Sequence, residues 1–293
     1  MERRHFLSLS LGALTAPVSS VAAASDFRFV HFTDPHIQPE LHAREGCEKA
    51  FEAINALKPD FSIAGGDLVF DISAAGPARA KELFDLYLAT AKGLNAPLHQ
   101  VPGNHDVYGL SPNGQVALND PMYGKKMYED RIGARYSSFD HKGWHFIQLD
   151  SIGPDGRGYR GEIDPIQFDW LKSDLEKTGT KTPVVITAHI ALVTTMVQFL
   201  QPQGLPAKGT VVVNAKEVLD LLSKYNVKAV LQGHTHVREV VDYNGCKYIT
   251  SGAVSGNWWK GSRLGHPEGF GLLTVKGDSI EWEYKTYGWK AEA

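Results

Sequence analysis

Phe29-Val30-His31-Phe32-Thr33-Asp34-Pro35-His36 is a short apolar run that ends in a carboxylate and an imidazole. The same design recurs four times. Phe61-Ser62-Ile63-Ala64 leads into Gly65-Gly66-Asp67, and Pro97-Leu98-His99-Gln100-Val101 precedes Gly103-Asn104-His105-Asp106. Val184-Val185-Ile186-Thr187 leads into Ala188-His189, and Ala229-Val230-Leu231-Gln232 into Gly233-His234-Thr235-His236. Apolar runs of this length suit buried strands. Read as strands of one sheet pair, they deliver every polar block at a carboxyl end, the edge where α/β sheets place ligand and catalytic sites.

Helical patterns separate these runs, and the alternation predicts an α/β fold. Arg44 to Leu57 is expected to be a helix stopped by Pro59, and Ala78 to Leu94 carries Leu83, Tyr87, Ala91 and Leu94 on one face. Asp164-Pro165 starts a helix with Asp as its cap and Gln167 at the matching position. Asn214 with Glu217 predicts another, ending near Tyr225. Hairpins are expected around His141-Lys142-Gly143, Asn244-Gly245 and Gly277-Asp278. Residues 107–135 have no periodic pattern, leaving a lid, an insertion or disorder open.

Composition is ordinary for a globular chain, 43% hydrophobic and 22% charged, with a formal net charge of −3. No stripe of Lys and Arg suggests a grip on long nucleic acid. Cys47 and Cys246 do not make a disulfide scaffold, and two free thiols are expected. The first 24 residues read as an export signal. Arg3-Arg4-His5-Phe6-Leu7 opens it, Phe6 to Ser25 is uncharged, and Ala22-Ala23-Ala24 offers an Ala-x-Ala cleavage site. The paired arginines resemble a twin-arginine signal, with Glu2 and Ser8 departing from the usual flanks. The mature chain, residues 25–293, is expected to be one exported, periplasmic domain with no membrane span.

The blocks themselves have the chemistry of a two-metal site, since carboxylate, imidazole and amide ligands suit first-row divalent ions. Asp34 and His36 are two apart, so an extended strand end points both the same way. His234 and His236 repeat that spacing and can each serve a different ion. Asp67 can bridge two cations, Asn104 offers a neutral oxygen, and His105 is free to meet substrate.

In this order, D-x-H, G-G-D, G-N-H-D, a single H and G-H-x-H, the blocks resemble the calcineurin-like metallophosphoesterase superfamily across essentially the whole mature chain. The resemblance implies two facing mixed β-sheets with helices outside, an αββα sandwich. It implies one metal on Asp34, His36, Asp67 and His236 and a second on Asp67, Asn104, His189 and His234, with Asp67 shared. Hydroxide between the two ions would attack phosphorus, and both ions and Asn104 would take up charge. His105, oriented by Asp106, would serve the leaving oxygen. The ligand types fit Fe, Zn, Mn or Co. Ala188-His189-Ile190 departs from relatives that carry a second histidine before and a proline after, so the loop 192–213 is expected to shape a different pocket. Trp258 and Trp259 follow a small-residue stretch like that of relatives resembling cyclic-nucleotide and glycerophosphodiester phosphodiesterases. They are expected either to wall the cleft and bind substrate or to pack a core behind it. A small phosphodiester is the favoured substrate, a phosphomonoester the alternative, and a non-catalytic binding module the rival reading.

Overall fold

The computed structural model describes residues 26–114, 116–200 and 208–292. The export signal expected at 1–24 and part of the 192–213 loop lie outside the described residues.

Five strands form one sheet and six the other. The chain runs β1 (Phe27–Phe32), α1 (Ala43–Ala56), β2 (Phe61–Ala64), α2 (Pro77–Ala91) and β3 (Leu98–Gln100). It continues through α3 (Lys126–Arg131), β4 (Ser137–His141), β5 (Trp144–Leu149), β6 (Ile152–Asp155), β7 (Gly158–Gly161) and α4 (Pro165–Thr178). Next come β8 (Val184–Ala188), α5 (Val197–Leu200), α6 (Ala215–Leu222) and β9 (Val227–Gln232). The last strands are β10 (Arg238–Tyr243), β11 (Cys246–Ser251), β12 (Gly269–Lys276) and β13 (Ser279–Thr286). The first sheet has the order β13-β12-β1-β2-β3 and the second β10-β11-β9-β8-β5-β4, while β6 and β7 pair apart as a small hairpin. Both sheets are mixed: β1, β2 and β3 run parallel, as do β5, β8, β9 and β11.

Alternation along the strands builds three cores. Phe27, Phe29, Phe61 and Ile63 point between the sheets and meet Trp144, Phe146, Val185, Ala229 and Leu231 of the second sheet. Phe29 and Phe61 stack at 4.9 Å, with Phe146 edge-on to both. The intervening Val30 and Phe32 face outward onto α1 and α2, and Val184, Ile186 and Ala188 face α4 and α6. Strands sandwiched this way are buried on both faces, which is why they read as continuous apolar runs. The four-layer αββα arrangement follows.

The expected strands and helices stand within a few residues of their predicted ends. Asp164 caps α4 by accepting from the Gln167 N–H at 2.9 Å. Asn214 precedes α6 without capping it. Its amide instead exchanges two hydrogen bonds with the Ile163 backbone, at 3.1 and 2.9 Å, and α6 stops at Leu222. Lys142-Gly143 and Asn244-Gly245 both have positive φ at both positions, the requirement of a two-residue hairpin turn. The described residues of 107–135 include several that are packed into the fold as an insertion. Val107 and Leu110 pack into the second sheet's core, and Tyr108, Met127 and Tyr128 into the first's. Cys47 and Cys246 are free and buried in different cores.

Candidate metal centre

The five blocks meet at one edge, where the carboxyl ends of β1, β2 and β3 face those of β8 and β9. Hydrogen bonds between the loops lock them together. Asp34 N–H donates to the Gly66 carbonyl and His36 N–H to the Asp67 carbonyl, both at 3.0 Å. His234 N–H reaches the Asp34 carboxylate from the other sheet, and His105 N–H donates to Asp67 Oδ1 at 2.8 Å. Gly103 is demanded by space: a Cβ there would lie 2.1 Å from Asp67 Oδ1 and 2.2 Å from its backbone nitrogen.

The reason Asp34 pairs with His36, and His234 parts from His236, differs from the expected one. Asp34, His36, Asp67, His234 and His236 all have φ between 40° and 69°. They sit in left-handed turns beyond the strands, so the convergence does not come from strand alternation. Such backbone costs about 1–2 kcal/mol per residue, and strain of this kind gathers at functional sites. The two histidines of the last block separate as expected: His236 joins Asp34 and His36, while His234 joins Asp67 and His189.

Three histidines have their tautomer set by backbone carbonyls. Nδ1 of His36 donates to Phe70 O at 3.2 Å, Nδ1 of His189 to Gly65 O at 2.8 Å, and Nδ1 of His236 to Gly256 O at 2.5 Å. Each ring therefore turns Nε2 towards the centre, the carbonyl-anchored orientation typical of metal-ligating histidines. His36 and His236 aim these nitrogens at one another, 3.1 Å apart. Asp67 Oδ2 lies 3.2 Å from His189 Nε2 and 3.5 Å from His36 Nε2, at the junction of the two groups. Asn104 Oδ1, His189 Nε2 and His234 Nδ1 are buried with no hydrogen-bond partner. Leaving such atoms unmatched costs about 1–3 kcal/mol each. Cations satisfy all of them at once, so the donor set fits two metal ions.

The electrostatics are those of a site built for positive charge. Burial drives His36 down to about 3, and burial with the charge of His189 drives His234 to about 4, keeping both rings neutral. Burial also opposes charge on His189, but the Asp67 carboxylate outweighs it and raises His189 to about 9. Burial pushes the Asp34 carboxyl up, and His236 reverses this to about 2.

Asp106 does not orient His105. In the tight turn Asn104–Asp106 the two side chains diverge. The Asp106 carboxylate accepts from the N–H groups of Leu68, Val69 and Gly103 at 2.8–3.1 Å, binding the Gly-Gly-Asp loop to the Gly-Asn-His-Asp loop. The carboxylate beside the ring is Asp71, 3.7 Å from His105 Nδ1, while His105 Nε2 is 4.0 Å from Asp67 Oδ2. His105 also shares a possible ligand cluster with His36 and Asp67, and a quarter of its side chain faces solvent.

The two tryptophans divide the roles left open between them. Trp259 is 2% exposed and donates from Nε1 to the carbonyls of Pro35 and His36, both at 3.1 Å, holding the first block from behind. Trp258 faces the site, its ring 4.5 Å from that of His236 and 5.7 Å from that of His36. A cavity of about 220 Å³ opens here, walled by His105, Tyr159, Leu200, Trp258 and Arg263. Leu200 comes from the 192–213 loop, whereas among the described residues 107–135 contribute nothing to the wall. Asp71, Tyr159 and Arg263 lie outside every block. Only Asp71 left a signal, as a carboxylate one turn beyond Gly-Gly-Asp.

Comparison with known proteins agrees with this geometry. A 3',5'-cyclic adenosine monophosphate phosphodiesterase, CpdA, of Haemophilus influenzae is 26% identical over 239 residues, 78% of this chain and 76% of its own. The mouse serine/threonine-protein phosphatase CPPED1 is 26% identical over 243 residues, 81% and 72% of the two chains. Among solved structures, a dimetal phosphatase from Danio rerio superposes with a TM-score of 0.67 at 14% identity, covering 89% of this chain and 96% of that one. The sequence pattern of the calcineurin-like phosphoesterases matches residues 27–238, and the chain belongs to that family.

Proposed function

We propose that this chain is a dinuclear metal-dependent phosphodiesterase, exported as a single mature domain. The observation that carries the reading is the convergence of buried carboxylates and imidazoles from strand ends of two sheets, with Asn104 Oδ1, His189 Nε2 and His234 Nδ1 left without partners. Asp34, His36, Asp67 and His236 would hold one ion, and Asp67, Asn104, His189 and His234 the other. Bound there, Fe, Zn, Mn or Co ions supply the positive charge that acidifies water to hydroxide near neutral pH and stabilises a phosphoryl group under attack.

The chain's own residues do the rest. His105, a quarter exposed at the cavity wall, would give its Nε2 proton to the leaving oxygen, and Asp71 beside Nδ1 favours the ring orientation that presents Nε2. Asn104 Oδ1, buried without a partner, would serve as a neutral ligand. Trp258 walls the side on which an ester arm can lie. Relatives named as phosphodiesterases support a diester; the relative named as a protein phosphatase keeps a monoester as the second reading. The Arg3-Arg4 pair, the uncharged stretch and the Ala-x-Ala site support export. Among the described residues no helix is long and apolar enough to cross a membrane.

Metal analysis of purified protein, followed by hydrolysis of bis-p-nitrophenyl phosphate and p-nitrophenyl phosphate with several metals, tests the proposal. About two metal equivalents and chelator-sensitive hydrolysis favouring the diester are expected. A metal-free protein inert towards both esters would leave a binding module.

A further inference from the structure

Arg263 sits at the Trp258 end of the cavity, and the proposed chemistry makes no use of it. Several other arginines pair with carboxylates, Arg79 with Glu40 and Glu82, Arg135 with Asp150 and Asp164, Arg160 with Glu162, and Arg157 bonds the carbonyls of Gly114 and Val116. The Arg263 guanidinium forms no salt bridge among the described residues, and its Nε is buried without a hydrogen-bond partner. Glu268, in the same segment, also keeps a partnerless buried oxygen, Oε1, so the two are not joined. An unsatisfied, partly buried guanidinium facing a cavity is costly unless something arrives to pair with it.

Its position is set by backbone. Trp258 and Trp259 both occupy positive φ, at 51° and 69°. The loop closes through Trp259 N–H to Ser255 O at 2.7 Å and Asn257 N–H to Gly261 O at 2.8 Å. Arg263 and His266 then exchange backbone hydrogen bonds at 2.9 and 2.8 Å. The guanidinium lies 5.6 Å from the centre of the Trp258 ring. A row of rings connects it to the reaction centre: His105 to His36 at 4.8 Å, then His36 to Trp258 at 5.7 Å. Arg263 thus stands at the far end of this row from His105. A planar fork backed by an indole face suits a pair of anionic oxygens, and Lys cannot reproduce that bidentate grip.

We propose that Arg263 is a substrate-positioning residue, a clamp for two anionic oxygens of the phosphoester at the Trp258 end of the cavity. It rests on the phosphoesterase reading of the same site. The oxygens belong either to the scissile phosphoryl group or to a second anionic group on the ester arm, and the test separates these.

Wild type, R263A and R263K are loaded with manganese and checked for equal metal content and melting temperature. Inorganic phosphate binding is then measured calorimetrically, and kcat and KM are measured with bis-p-nitrophenyl phosphate and with a diphosphate diester. R263A should weaken phosphate binding and raise both KM values about tenfold or more, with R263K recovering only part. If phosphate affinity holds while KM rises only for the diphosphate ester, the clamp acts on the second anionic group. Phosphate affinity and both KM values within twofold of wild type would overturn the proposal. Should the wild type hydrolyse neither ester, the phosphodiesterase reading fails, and the phosphate titration still reports on Arg263.

Discussion

Gly46→Ala sets helix propensity against packing at a position that supports the metal centre from behind. Gly46 lies in the first turns of α1, where Ala is intrinsically better than Gly by about 1 kcal/mol. The new Cβ would stand 2.1 Å from Cζ3 of Trp259 and 2.8 Å from Cε3 and Cη2. The indole has no easy retreat. Trp289 packs against it edge-on at 5.5 Å, and its Nε1 is tied to the Pro35 and His36 carbonyls. Overpacking costs about 1–3 kcal/mol, and pulling Nε1 off two buried carbonyls adds about 1–3 kcal/mol. Packing therefore wins, with a net loss of about 1–5 kcal/mol.

The damage should reach function, because displacing Trp259 shifts Pro35-His36 on one side and Trp258 on the other. Urea denaturation should show the lost stability, and metal titration a weaker site. Trp259→Phe in the same background should return part of both, a coupling that a double-mutant cycle measures. A Gly46→Ala protein more stable than wild type by about 1 kcal/mol, with metal affinity unchanged, would refute the reasoning: the indole would then be yielding freely and supporting nothing.

Other expectations concern charge. His105→Ala should keep its metal content while kcat falls by about 10²–10⁴, the range of a lost general acid; metal loss instead would make His105 a ligand. Asp71→Asn should lower kcat with fold and metal retained, whereas Asp106→Asn should lower the melting temperature, because an amide cannot accept three backbone N–H bonds. Chelated protein should lose stability as pH rises from 6.5 to 9. His189 is raised in the folded state to about 9 by Asp67 against burial, so its contribution is complete below 6.5 and gone above 9. The loss should approach about 3 kcal/mol, and His189→Gln should flatten it in urea melts across that window. Asp164→Ala should cost about 1 kcal/mol at pH 7 through the lost cap. Burial works against the Asp164 carboxylate, but the Gln167 N–H and Arg135 hold its folded pKa below the ordinary value. The difference between Asp164→Ala and wild type should therefore begin to shrink as pH falls below about 4 and be lost as pH passes through the lower folded pKa.

The α/β alternation, the strands of the two large sheets and the convergence of Asp34, His36, Asp67, Asn104, His189, His234 and His236 were legible in the sequence. Strands buried on both faces leave continuous apolar runs, and ligands placed at strand ends leave fixed short blocks. Roles resisted reading wherever they depend on direction in space. His105 and Asp106 are neighbours in sequence, yet a tight turn sends one to the cavity and the other to three backbone amides. Trp258 and Trp259 are likewise adjacent, and successive left-handed residues put one ring on the site and the other behind it.

What the chain determines by itself is therefore the fold and the donor inventory, because both arise from local periodicity and short spacing. Which carboxylate stands beside His105, what walls the cavity and that Arg263 has no salt bridge among the described residues were decided only by tertiary structure. Asp71, Tyr159, Leu200 and Arg263 come from four separate segments, and Tyr159 rides on the β6–β7 hairpin, whose Gly- and Pro-rich sequence carries no strand periodicity. No local pattern links residues whose only relation is that two folded sheets bring their loops to the same edge.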